Sequence, residues 1–279
     1  FGVLPGCMEP ASSTVPYMAR WPMSEGLRWQ CCRQVAGPLV KESRAIRPRL
    51  SRLDSPYARA EKNRILRPPR DSSVCRSRVD RLELLLALFG FDGQSYTLTF
   101  ADDCLPPTFK EVRKAWRRFL YKLKRWRGRP FDYVYLIEGK HGDHRYHIHL
   151  TVRYSDFPPL AMEDLWTSGF VEGRPLLLGP YDTYRRTAKY YCKERTDGVV
   201  IPIDARTWVA SRSLTAQLPP PEQWEDSSGE IPFPECPRCK GGNHVDNQFG
   251  HYNYGWYIKQ DPLRPTLDAI DAERKARRK

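Results

Sequence analysis

Between residues 74 and 218 the apolar positions of this chain keep to regular periods, and before residue 73 they keep to none. In "VCRSRVDRLELLLALFGF" Val79, Leu82, Leu85, Leu86 and Phe89 recur at helical spacing, with Arg76, Arg78 and Arg81 largely off that face, so a helix is predicted. "SYTLTFADD" alternates with period two and ends on Asp102 and Asp103, the pattern of a strand entering a turn. "TFKEVRKAWRRFLYKLKRWRGRP" predicts a second helix: Thr108 and Glu111 form a capping box, Val112, Trp116, Phe119, Leu123 and Trp126 an apolar stripe, and Gly128 and Pro130 a stop.

"FDYVYLIEG" and "RYHIHLTVRY" read as two strands joined by the short loop "KHGDH", which makes a hairpin. A short helix in "AMEDLWTSGF", a short strand in "RPLLLG" and a helix in "DTYRRTAKYYCKERTDG", capped by Asp182, complete the series. The order predicts an α+β domain over 73–218 whose antiparallel sheet carries helices on one face. No internal repeat is present. Residues 1–72, broken up by Pro, Gly, Ser and Arg, are expected to be a basic and poorly structured arm. Residues 219–279 read as a Pro-rich linker followed by a Cys/His segment and a charged tail.

Charge sharpens this picture. The 279 residues carry 46 Lys and Arg against 33 Asp and Glu, a formal net charge of +13, which favours a polyanionic partner. Ten of those cations fall between 110 and 129, opposed there by Glu111 alone. On that helix Arg113, Lys114, Arg117, Arg118, Lys122, Lys124 and Arg125 are candidate contacts to a nucleic-acid backbone. No apolar run approaches the roughly 20 residues of a membrane span, and no signal-peptide pattern opens the chain. A cytoplasmic protein without a membrane partner is the expectation. The eight cysteines lack the density of a disulfide scaffold and point to a reducing compartment. The chain opens on Phe1 rather than Met, as a fragment or a misplaced gene start would.

The chemistry concentrates in "EGKHGDHRYHIHLTVRY", residues 138–154. Residues two apart on a strand share a face, so His147 and His149 project together while Ile148 and Leu150 point away. Two imidazoles, with Glu138 brought alongside by the hairpin, make a divalent-metal set with open positions. A pair of polar strand histidines without an ion fits the same residues. The glutamate that a cupin needs a few residues later is missing, and so is the second His-x-Ser/Thr of a two-histidine phosphoesterase. In "AKYYCKE", Tyr190 and Lys193 share one helical face and Tyr191 turns about 100° away. One tyrosine can face such a site while its neighbour packs. A phenol, with a pKa near ~10, needs activation before it attacks anything.

Taken in order, "SYTLTF", "YLIEG...RYHIHLTV" and "KYYCKE" resemble the three motifs of rolling-circle replication initiators of the HUH endonuclease superfamily: a T-L-T strand, a His-hydrophobic-His strand and a helical Tyr-x-x-Lys. "RSRVDRLELL", "LWTSGFVEGRPL" and "VASRSL" are similar to segments of plasmid and phage replication proteins. The resemblance covers roughly 74–218. It implies the HUH fold, a central antiparallel ferredoxin- or palm-like sheet with packed helices. It implies His147, His149 and Glu138 as ligands of Mg²⁺ or Mn²⁺, Tyr190 as nucleophile on single-stranded origin DNA, and Lys193 as a catalytic cation. Thr97 and Thr99 belong to the first motif, with a structural or DNA-binding role. Host helicase and polymerase are the implied partners. Arg186 stands where some initiators carry a second tyrosine, which implies a single-tyrosine mechanism. An HUH transposase or relaxase, and a DNA-binding protein that does not cut, are the alternatives.

In the tail, Cys236 and Cys239 form a C-x-x-C knuckle and His244 and His251 follow, four ligands compatible with structural Zn²⁺ at spacings that fit no standard finger. Tyr252, Tyr254, Trp256 and Tyr257 suit either base stacking or packing.

Overall fold

The computed structural model describes residues 28–46, 70–139, 145–179, 182–192, 208–247 and 250–260. Among them the chain is α+β, with two antiparallel five-stranded sheets and five α-helices. The strands are β1 (Trp29–Ala36), β2 (Leu39–Ile46), β3 (Gly93–Phe100), β4 (Val134–Glu138), β5 (His147–Arg153), β6 (Gly169–Pro175), β7 (Val209–Ala210), β8 (Glu222–Asp226), β9 (Cys239–Asn247) and β10 (Gly250–Ile258). The helices are α1 (Arg70–Ala87), α2 (Phe109–Arg127), α3 (Pro159–Leu165), α4 (Tyr184–Tyr191) and α5 (Arg212–Ala216).

The central sheet has the order β6-β3-β5-β4-β7. Strand alternation gives it two distinct faces. Tyr96, Leu98, Phe100, Ile148, Leu150 and Val152 point to one side, where Val112, Trp116, Phe119 and Leu123 of α2 and Met162 and Leu165 of α3 close over them. On the other side Val134 and Leu136 meet Leu82, Leu85 and Leu86 of α1 and Tyr184, Ala188 and Tyr191 of α4. Helices therefore cover both faces, where the sequence predicts one. The buried stripes of α1 and α4 pack together in one cluster on the face that α2 leaves open.

Helix α2 forms as its sequence predicts. Thr108 accepts from the Glu111 amide at 3.4 Å and its hydroxyl lies 3.2 Å from the Glu111 carboxylate. At the other end Gly128, with φ 69°, sits in the left-handed conformation that closes a helix. Trp126 leaves the stripe: it is 49% exposed and stacks over Phe157 at 5.5 Å. Helix α4 is capped differently from the prediction. Thr183 holds the N-cap, and Asp182 instead accepts the amides of Leu178 and Gly179 at 3.1 and 2.8 Å. The predicted strand "RPLLLG" is also displaced. The strand is β6, which ends at Pro175, and Leu176 and Leu177 are buried loop residues against α1 and α4.

The second sheet corrects the expectation of loose flanks. Its order, β8-β1-β2-β10-β9, joins residues 29–46 to residues 222–258. The β1–β2 turn approaches α1 so closely that a Cβ on Gly37 (φ 53°) would lie 2.1 Å from the Ala87 carbonyl oxygen. On one face of this sheet Arg33, Glu42, Arg44 and Asp226 form a linked ion network, with Glu42 and Arg44 buried. Towards α1, Lys41 reaches Glu83 at 2.8 Å and Asp80 at 3.3 Å, and Arg185 of α4 reaches the same carboxylates at 2.8 and 2.7 Å. One charged hub thus ties β2, α1 and α4 together. No helix among the described residues is long and apolar enough to cross a membrane.

Candidate metal centre and nucleophile

The register of the central sheet sets the site. Glu138 of β4 lies directly opposite His147 of β5, Leu136 opposite His149, and on the far side of β5 Thr97 and Thr99 of β3 pair with His149 and His147. Residues directly opposite in an antiparallel ladder share a face. Glu138, His147, His149, Thr97 and Thr99 therefore stand together on the side of the sheet occupied by α4.

Ligand atoms of Glu138, His147 and His149 all lie within 4.8 Å of one another, and among the described residues this is the one group of three or more such side chains so arranged. Glu138 Oε2 is 2.6 Å from Nε2 of His147 and 3.4 Å from Nε2 of His149. Both imidazoles are oriented from behind: Nδ1 of His147 meets the Arg145 carbonyl at 2.9 Å, and Nδ1 of His149 meets the Thr97 hydroxyl at 3.3 Å. A ring nitrogen facing a carbonyl carries a proton, so the Arg145 contact turns Nε2 of His147 toward Glu138 and the point on which the three ligands converge. Burial works against the Glu138 carboxylate, but the bonds from His147 and His149 outweigh it and hold its pKa well below the usual carboxylate range. Hard oxygen and borderline nitrogen donors converging on one point, with outer partners behind the rings, fit a divalent metal.

Helix α4 lays two consecutive tyrosines against this group. Tyr190 is 39% exposed, and its hydroxyl is 3.4 Å from Nε2 of His149, with the rings perpendicular at 5.3 Å between centroids. Tyr191 is buried, its hydroxyl 3.0 Å from both Ser95 and Thr151. Burial raises the pKa of both phenols, and the Glu138 carboxylate adds to the rise at Tyr190. Tyr190 is therefore a neutral phenol that needs help to ionise. The split between a site-facing and a packed tyrosine is the one that the helical spacing predicts.

The remaining predicted residues fall elsewhere. Lys193 lies outside the described residues. Thr97 stands behind His149, its hydroxyl 3.3 Å from Nδ1, and both threonines are half-buried. Arg113, Lys114, Arg117, Arg118, Lys124 and Arg125 are exposed, but α2 covers the opposite face of the sheet from Tyr190. Lys122 spends its ammonium on the Leu165 carbonyl at 2.7 Å and is a tether to α3.

The four-ligand zinc set is corrected. Cys239 opens β9 opposite Ile258, whereas His244 lies five residues along, opposite Asn253. Five strand residues span about 17 Å and reverse the face, so these side chains cannot meet on one ion. His244 and His251 instead flank Asp246, at 2.8 and 2.5 Å. Sequence reasoning missed Ser95, Thr151 and Arg174, which stand on the site face. Their signal was parity with His149 along β3 and β5, and with Glu172 along β6.

No protein-family model matches the chain, and no curated protein or solved structure is significantly similar to it. The functional reading rests on the site.

Proposed function

We propose that the chain is a DNA strand-nicking and strand-joining enzyme of the HUH type that initiates rolling-circle replication of a plasmid or phage, with Tyr190 as its nucleophile. The observation that carries this reading is the Tyr190 hydroxyl, 3.4 Å from Nε2 of His149 at the rim of the Glu138, His147 and His149 group. A protein that only binds DNA does not require a half-exposed phenol beside three converging ligands.

In this reading His147, His149 and Glu138 hold Mg²⁺ or Mn²⁺, and the imidazoles favour the latter. When bound, the ion polarises a phosphodiester and offsets the Glu138 charge that keeps the Tyr190 phenol protonated. Tyr190 Oη attacks phosphorus in single-stranded DNA, the bond to the 3′ oxygen breaks, and a 5′-phosphotyrosine and a free 3′-hydroxyl result. The phenolic proton leaves to solvent and the departing oxygen takes one up. Attack by a 3′-hydroxyl on the phosphotyrosine reverses the step and joins the strand. Thr97 holds the His149 ring, and Tyr191, anchored on Ser95 and Thr151, fixes the end of α4 on the sheet. Arg186, where a second tyrosine would stand, is 81% exposed and paired with Asp182. The cations of α2, on the far side of the sheet, serve DNA flanking the cut strand.

The test is incubation with a single-stranded oligonucleotide from its own replicon's origin and Mn²⁺. The reading expects cleavage that EDTA abolishes. Salt-sensitive binding without cleavage leaves a non-cutting DNA-binding protein.

A further inference from the structure

Strand β6 is an edge of the central sheet, and its register with β3 places Phe170 opposite Thr99, Glu172 opposite Thr97 and Arg174 opposite Ser95. Through β3 and β5 these pairings build three rows across the site face. Phe170, Thr99, His147 and Glu138 form the first, Glu172, Thr97, His149 and Leu136 the second, and Arg174, Ser95, Thr151 and Val134 the third. The three ligands lie in the first two rows, the Tyr190 hydroxyl of α4 reaches His149 of the second at 3.4 Å, and β6 is the open margin of both.

Phe170 is 73% exposed there. A single exposed apolar residue is ordinary, but this one stands in the row of His147 and Glu138. Arg174 is exposed and has no hydrogen-bond or ion-pair partner among the described residues. Strand β5 places another arginine on the same face, Arg153, and its guanidinium is spent on the carbonyls of Leu88 and Phe89. The site otherwise presents the carboxylates of Glu138 and Glu172 to an approaching phosphate. Arg174 is near enough for its charge to act on both Tyr190 and Tyr191.

We propose that Phe170 and Arg174 of β6 form a subsite for single-stranded DNA, in which Arg174 binds a phosphate next to the scissile one and Phe170 stacks a base. The proposal rests on the reading that the site acts on single-stranded DNA. Four residue steps separate the two side chains, about 14 Å along β6, room for a short run of nucleotides. Base stacking on an aromatic ring tolerates any sequence, and a guanidinium takes phosphate in a fork of donors. Glu172, between them, repels the backbone and confines phosphate to the Arg174 end.

The experiment measures binding of a short fluorescein-labelled oligothymidylate by anisotropy, in EDTA and across a salt series. Adduct formation with Mn²⁺ is followed in parallel. Arg174→Ala is expected to weaken binding about tenfold and to lower the salt slope by about 0.7, the value of one phosphate contact on a single strand. Arg174→Lys recovers the slope. Phe170→Ala weakens binding by roughly fivefold or more with the slope unchanged, Phe170→Trp restores it, and Glu172→Gln tightens it. Unchanged melting temperatures show that these edge residues act on DNA and not on the fold. Wild-type adduct formation with binding indifferent to Arg174→Ala and Phe170→Ala overturns the subsite and keeps the nuclease. The variant pattern without any adduct keeps the subsite and overturns the nuclease.

Discussion

The Thr97 hydroxyl lies 3.3 Å from Nδ1 of His149, the ring nitrogen that faces away from Glu138. A contact behind a ligand fixes the ring that would bind, and removing such a partner costs about 10–100-fold in metal affinity. Thr97→Val is therefore expected to weaken Mn²⁺ binding by about tenfold, read from the free-ion paramagnetic resonance signal. His149→Ala and Glu138→Gln are expected to abolish it. Equal affinity in wild type and Thr97→Val would show that the threonine does not hold the ring.

The hub of Lys41, Asp80, Glu83 and Arg185 predicts a stability effect far from the chemistry. Glu83 is buried and bonds both cations at 2.8 Å. Burial disfavours the charged Lys41, but Glu83 outweighs it and raises the pKa of the ammonium. Glu83→Ala leaves Lys41 and Arg185 to share Asp80 alone, at 3.3 and 2.7 Å, and is expected to cost about 2 kcal/mol, a fall in Tm of roughly 4–8 °C by thermal denaturation. Because Arg185 belongs to α4, the same variant should loosen Tyr190 and slow cleavage.

Acid sensitivity follows from Asp80. Burial raises its pKa, but the hydrogen bond and charge of Arg185, with Lys41, more than offset this and lower it below 3.8. A carboxylate with a depressed folded pKa contributes stability above its unfolded value, and that contribution is lost as pH falls through the folded value. The wild type is thus expected to lose stability below about pH 4 more steeply than Asp80→Asn, as melts at neutral and acid pH would show. Parallel profiles would remove Asp80 from the account.

The three inner strands of the central sheet, β3, β4 and β5, were legible in the sequence because they alternate cleanly, and α1, α2 and α4 because their apolar positions recur at helical spacing; the edge strands β6 and β7 were not. The shared face of His147 and His149 followed from strand parity, the place of Glu138 depended on the hairpin forming, and the division of labour between Tyr190 and Tyr191 followed from the helical turn angle. The second sheet was not legible. In β2 two of the inward positions are Glu42 and Arg44, buried through mutual ion pairing, so the period-two signal reads as polar. Strand β9, "CKGGNHVDN", has almost no apolar residue and depends on β10 for its existence. The placement of Arg174 was missed because the apolar run Leu176–Leu178 imitates a strand. The true edge strand, exposed along most of its length, carries little apolar signal.

The cations of α2 yield a separate expectation. Arg117 and Arg118 are exposed on the face of the protein remote from Tyr190. Replacing both by alanine is expected to lower the salt slope for an origin duplex by about 1.8, two phosphate contacts at 0.9 each. Cleavage of a short single-stranded oligonucleotide should be unaffected. A loss of that cleavage would mean that the cut strand itself reaches α2.

The identity of the nucleophile is the central claim, and mass mapping of the covalent product tests it most directly. The protein is incubated with single-stranded origin oligonucleotide and Mn²⁺, the adduct is digested, and the nucleotide-bearing residue is located. Tyr190→Phe and Tyr191→Phe are carried alongside. The account predicts a 5′-phosphotyrosine on Tyr190, absent from Tyr190→Phe and retained, at reduced yield, in Tyr191→Phe. An adduct on another residue, or one that survives Tyr190→Phe, would contradict it.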